Sequence, residues 1–168
     1  SLDPEEVYGF LRPTLASLEE IVESFGGTVV FVAGDGFMAV FGVPLAHEDD
    51  AERALRAAIG VRDRVGDLRK QTTGFRFPDV HAGIDTGEVI VAPAEEAAGF
   101  KVVGDTVNTA SRLAGLAGAG RILVGSTTRA LTDRRIAFGR RTDRRAKGKR
   151  HPLATYEVKG LRPERDID

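Results

Sequence analysis

Asp35 stands between two glycines in Gly34-Asp35-Gly36, and this triplet joins two apolar runs at residues 29–33 and 37–41. A carboxylate placed there has two readings. Gly-Asp-Gly suits a tight hairpin turn, where an exposed aspartate is tolerated without cost. It also suits a hard-cation ligand at the tip of a rigid hairpin, because Mg²⁺ takes one or two carboxylates together with substrate phosphates. A second group is Asn108 and Arg112, four residues apart in a helical pattern and so on one face. Arginine offers a planar fork for phosphate and asparagine an uncharged donor beside it, although a solvated polar face needs the same residues. A third is the basic run Arg140, Arg141, Arg144, Arg145, Lys147, Lys149 and Arg150. It reads as a solvated hairpin tip, or as the source of one or two cations for a triphosphate. His47, His81 and His151 are scattered without ligand spacing and read as structural.

Periodicity supplies the elements that must hold these groups. Residues 4–25 predict a helix with Asp3 as N-cap, Pro4 in the first position and Glu5 and Glu6 at the positive end of the dipole. Val7, Leu11, Leu15, Leu18, Val22 and Phe25 form its apolar stripe. Pro13 is expected to kink or split it, and Gly26-Gly27 to end it. The hairpin around Asp35 follows, with both strands expected to be almost fully buried. Residues 50–70 predict a second helix, burying Ala51, Ala54, Leu55, Ala58, Val61, Val65 and Leu68. "DVHAGIDTGEVIVA" reads as two strands around Asp85-Thr86-Gly87, and "AEEAAGFK" as a loop. "GDTVNTASRLAGLAGAG" reads as a third helix closed by glycines, "RILVG" as a strand, and "STTRALTD" as a short helix capped by Ser126. The remainder predicts two strands round the basic loop. Helices alternating with paired strands make an α/β sandwich with a mixed or antiparallel sheet.

Composition narrows the function. The chain has 168 residues, about one domain, and a net charge of -1, so nothing global points to nucleic acid or an anionic membrane. The basic run lacks interleaved aromatics, which argues against nucleic acid as a partner. The absence of cysteine removes disulfides and thiolate metal sites, and fits a cytoplasmic domain. No apolar run reaches the roughly 20 residues of a membrane span.

Five segments in order, "GDGFMAVFG", "HEDDAERALRAA", "AGIDTGEVIV", "VVGDTVNTASRL" and "KGKRHPLATYEV", resemble the class III nucleotidyl cyclase catalytic domain, the family of adenylyl and guanylyl cyclases. The resemblance runs from about residue 2 to residue 160, and implies one catalytic domain over 1–168 with a ferredoxin-like α/β core. It implies a homodimer with active sites across the interface and two Mg²⁺ or Mn²⁺ ions. The ribose 3′-hydroxyl of a nucleoside triphosphate attacks its own α-phosphate there, and pyrophosphate leaves. Matched residue by residue, Asp35 falls on the second metal aspartate, and Asn108 and Arg112 on the pair that orients the ribose and stabilises the transition state. Lys147 falls on the lysine for the terminal phosphates.

Two departures qualify that picture. The family's first metal aspartate lies on a strand ahead of the first helix. The resemblance implies that this chain starts beyond it, as a truncated domain of impaired activity. The base-reading positions carry Phe31 and Lys101, which is neither the adenylyl nor the guanylyl pattern. Phe31 can pack on a ring but cannot read a polar edge, and Lys101 can only donate. ATP is the default substrate, with GTP and pyrimidine triphosphates open. The plainer alternative makes Phe31 a core strand residue and Lys101 a loop lysine, in a non-catalytic module that dimerises or binds nucleotide.

Overall fold

The computed structural model describes residues 3–33, 36–94, 99–145 and 150–164. The chain divides into two compact units, Ser1–Val80 and His81–Asp168.

The first unit is a hairpin with two helices. Helix α1 (Pro4–Ser24) starts with a full capping box: the Asp3 carboxylate accepts from the Glu6 amide, and the Glu6 carboxylate from the Asp3 amide. Pro13 lies inside α1 and does not split it. The Thr14 hydroxyl donates to the Phe10 carbonyl in the same stretch. The stripe buries Leu18 and Val22, whereas Tyr8 and Phe10 near the start are exposed. Phe25 closes the helix and Gly26 follows at φ +87°, so Gly27 opens the next strand rather than ending the helix. Strands β1 (Gly27–Ala33) and β2 (Gly36–Phe41) pair antiparallel, with a bulge between Val29 and Phe31. Helix α2 (Asp50–Gln71) buries Leu55, Ala57, Val61 and Val65. Leu18, Val22, Val61, Val65 and Phe77 form the core, and Val29, Phe37, Ala39 and Phe41 pack onto it from the hairpin.

The expectation of two nearly buried strands fails: β2 is exposed at Gly36 and only partly buried from Phe37 to Phe41, and the outer end of β1 is exposed. Phe31 is 59% exposed and Val32 47%. Two strands have one face to lay on two helices; alternate residues Phe37, Ala39 and Phe41 take it, and Phe31 and Val32 extend beyond. Phe31 is therefore not a core residue of this chain.

The second unit holds a mixed sheet. Strand β3 (Ala82–Ile84) runs parallel to β6 (Ile122–Val124), and β6 is antiparallel to the long β9 (Leu153–Leu161). The opposite edge of β9 is shared by β7 (Ile136–Phe138) and β8 (Thr142–Arg144), so three strands stand where two were expected. A separate antiparallel pair joins β4 (Ile90–Pro93) to β5 (Phe100–Val103). The two strands around Asp85-Thr86-Gly87 exist but do not pair with each other. Residues 100 and 101, expected in a loop, belong to β5, and Lys101 stands opposite Ala92. Helix α3 (Asp105–Leu116) includes Gly115 and stops at Ala117, whose extended backbone ends it before Gly118 and Gly120 are reached. Helix α4 (Ser126–Thr132) has Gly125 at its N-cap, so Ser126 is the first helical residue and not the cap. Among the described residues no helix is long and apolar enough to cross a membrane.

Candidate active site

Helix α3 carries Asn108 and Arg112, and every part of it is tied down. Gly104 precedes it at φ 140°, a conformation that side chains rarely adopt, and lets β5 turn directly into the helix. The Thr106 hydroxyl donates to the Glu88 carbonyl at 2.8 Å, which fixes the first turn. In the middle, Thr109 is buried and Leu113 is 0% exposed. Opposite them, Gly83 on β3 brings its backbone against the helix; an added Cβ would overlap Ala110 and Ala114 and lie 2.7 Å from the Leu113 carbonyl carbon. At the end, His81 Nδ1 lies 2.7 Å from the Ala114 carbonyl oxygen, so that nitrogen bears the proton. Arg144 Nη1 donates to the Leu116 carbonyl at 3.1 Å.

On this fixed helix Asn108 is exposed and Arg112 half-buried, one turn apart. Neither side chain has a hydrogen-bond or ion-pair partner among the described residues. A guanidinium with all its donors free is suited to a planar oxyanion such as a phosphate. Lys101 is exposed on β5, the strand that leads through Gly104 into α3. Phe31 is on β1 in the first unit. Asp35 and Lys147 lie outside the described residues. Among the described residues no group of three or more His, Asp or Glu side chains could hold a metal ion.

The basic run is not a uniform solvated tip. Arg141 Nε donates to Asp143 Oδ1 at 2.8 Å, and this bond holds the guanidinium more firmly protonated. Arg144 turns inward to α3, and its Nε is buried without a hydrogen-bond partner. Among the described members, Arg140, Arg141, Arg145 and Arg150 are exposed, as the solvated reading expects, and Arg144 is not. Composition hid the role of Arg144. The available signal was that the α3 segment has no cation in its last turn, where one supplied from elsewhere would be favourable.

The chain belongs to the family described as the adenylate and guanylate cyclase catalytic domain, whose profile matches residues 1–160. The crystal structure of the guanylyl cyclase Cya2 is similar at TM-score 0.90 and 28% identity, covering 98% of this chain and 85% of that one. That of the adenylyl cyclase CyaB from P. aeruginosa is similar at TM-score 0.86 and 30% identity, covering 100% and 88%. Adenylate cyclase 1 of Rhizobium meliloti (strain 1021) is 31% identical over 165 residues, which is 94% of this chain and 25% of that protein. The chain spans between about a tenth and a third of the length of the curated relatives it matches. The fold is the α/β architecture of these cyclase domains, with its mixed and antiparallel sheets.

Proposed function

We propose that residues 1–168 belong to one catalytic domain of a nucleotidyl cyclase, which is active in the full-length protein. It closes the ribose 3′-oxygen of a nucleoside triphosphate onto the α-phosphorus, breaks the bond to the β-phosphate oxygen and releases pyrophosphate. The observation that carries this reading is the pair of unpartnered polar side chains, Asn108 and Arg112, on a helix immobilised at both ends. Phosphoryl transfer of this kind depends on positioning and charge stabilisation rather than on a protein nucleophile. Arg112 meets the charge that grows on the α-phosphate oxygens, and Asn108 orients the ribose. Lys147 balances the terminal phosphates that leave. Asp35 is the candidate ligand for Mg²⁺ or Mn²⁺, whose chemistry would be to neutralise phosphate charge and favour ionisation of the 3′-hydroxyl. A second copy of the chain completes each site, with Asp35 of one protomer serving the helix of its partner.

ATP is the default nucleotide, and Lys101 and Phe31 set the base preference. Lys101 needs an acceptor: adenine N1, guanine O6 or N7, or a pyrimidine carbonyl. Phe31, being exposed, has its ring available to stack on the base. Both adenylyl and guanylyl cyclases stand among the relatives, so the base must be read directly.

The test incubates the full-length protein with Mg²⁺ or Mn²⁺ and each of ATP, GTP, CTP and UTP, and reads cyclic product by mass spectrometry. One dominant cyclic nucleotide, lost in Asp35→Ala with the fold retained, is the expected result. No product from any of the four, with the dimer intact, would make the chain a non-catalytic nucleotide-binding or dimerisation module.

A further inference from the structure

Arg144 is the last residue of β8, where it stands opposite Leu153 in the ladder with β9. Its side chain leaves the strand and spans to the end of α3, where Nη1 donates to the Leu116 carbonyl at 3.1 Å. This is not a loose surface contact. The residue is half-buried, and its Nε is fully enclosed without a hydrogen-bond partner. Enclosing part of a guanidinium is unfavourable unless its charge meets something fixed. What it meets is the negative end of a helix that has no basic residue in its own last turn.

We infer that Arg144 is a positioning residue for the Asn108 and Arg112 pair, an inference that rests on the nucleotidyl cyclase reading. Arg112 lies one turn before Leu116, so the bond made by Arg144 acts on the same turn of helix that aims the Arg112 fork. The strand origin of Arg144 matters as much as its charge. β8 is held by β9, and the chain reaches Lys147 three residues after Arg144. One side chain thus links the sheet edge that precedes the candidate phosphate-binding lysine to the helix that carries the candidate transition-state arginine. Arg144 touches no substrate in this arrangement; its effect passes through α3. A displacement of about 1 Å at the reacting groups costs on the order of 100-fold in rate. The consequence of losing Arg144 therefore falls on turnover, with nucleotide binding largely kept.

The test uses the full-length protein carrying Arg144→Leu, Arg112→Ala and the two together, with kcat and KM measured for the preferred nucleotide. Circular dichroism and gel filtration establish that each variant is folded and dimeric. Arg144→Leu is expected to lower kcat about 10- to 100-fold and to change KM by less than about threefold. In the Arg112→Ala background the same substitution is expected to add little, because residues that act as one unit are not additive. Arg144→Lys, which keeps charge and a donor, is expected to restore part of the rate. Should Arg144→Leu not fold, Arg144→Gln, which keeps a donor and loses the charge, carries the same comparison. Unchanged kcat in a folded variant, a loss confined to KM, or full additivity with Arg112→Ala would overturn the inference. A wild-type protein that makes no cyclic nucleotide would overturn the cyclase reading itself, which is a different result.

Discussion

Gly83 on β3 and Ala114 on α3 meet backbone to backbone. A side chain at Gly83 has no flexible neighbour to displace, because the atoms in its way belong to the helix main chain around Ala110, Leu113 and Ala114. Gly83→Ala is expected to destabilise the protein by about 2–3 kcal/mol, the upper part of the range for overpacking, since the strand and helix must separate. Urea unfolding of the two proteins measures this, and a change below about 1 kcal/mol would mean that α3 is not locked onto the sheet.

Arg112→Ala is expected to lower kcat by about 100- to 1000-fold, as removal of a preorganised donor to developing charge does. KM is expected to change only a few-fold. Arg112→Lys is expected to recover little of this, because an ammonium cannot reproduce the planar fork. Steady-state kinetics decide the matter: equal losses in kcat/KM and in affinity would reduce Arg112 to a phosphate anchor.

Phe31→Ser is expected to leave stability within about 0.5 kcal/mol of the wild type, since a ring that is 59% exposed contributes little to the core. The same substitution is expected to alter the ranking of ATP, GTP, CTP and UTP. A drop of several degrees in Tm with an unaltered ranking would return Phe31 to a purely structural role.

Asp49 gives a dependence on pH. Arg53 Nε donates to Asp49 Oδ1 at 2.8 Å, and this bond holds the carboxyl below its ordinary 3.8. Arg53 Nη1 also donates to the Phe25 carbonyl, so the pair fastens the end of α1 to the start of α2. A carboxyl with a depressed folded-state pKa adds stability above its unfolded value and loses it as pH falls through the folded one. Asp49→Asn is therefore expected to be less stable than wild type at neutral pH. The gap should close on acidification below about pH 4, the ordinary carboxylate range. Thermal melts of both proteins across pH 2–7 test this; a gap independent of pH would show that Asp49 acts without its charge.

The sequence disclosed what is local. Asp3, Pro4 and Glu6 announce the start of α1, and the spacing of Leu55, Val61 and Val65 announces the buried row of α2. It concealed what depends on partners distant in the chain. β5 is four residues of mixed character, and β4 makes it a strand; β7 and β8 are three residues each and exist because β9 offers them an edge. Ser126 has the chemistry of a cap, yet Gly125 before it takes the extended conformation. The polar residues of the candidate site were legible as a helical pair at Asn108 and Arg112, because four-residue spacing is a local signal. Arg144 was not: seven basic residues in eleven positions read as one solvated group until the fold draws one of them inward.

β9 couples more of the second unit than its nine residues suggest. It sets the register of β6 through Glu157 and Tyr156, of β7 through Val158, Gly160 and Leu161, and of β8 through Leu153, Ala154 and Thr155. An inserted or deleted residue anywhere in this strand would turn its following side chains to the wrong face and shift several neighbours at once. Among its casualties would be the alignment of Arg144 with the end of α3. Natural length variation in this protein should therefore stop at the borders of β9, and a fusion or tag placed within residues 153–161 should abolish folding rather than merely slow turnover.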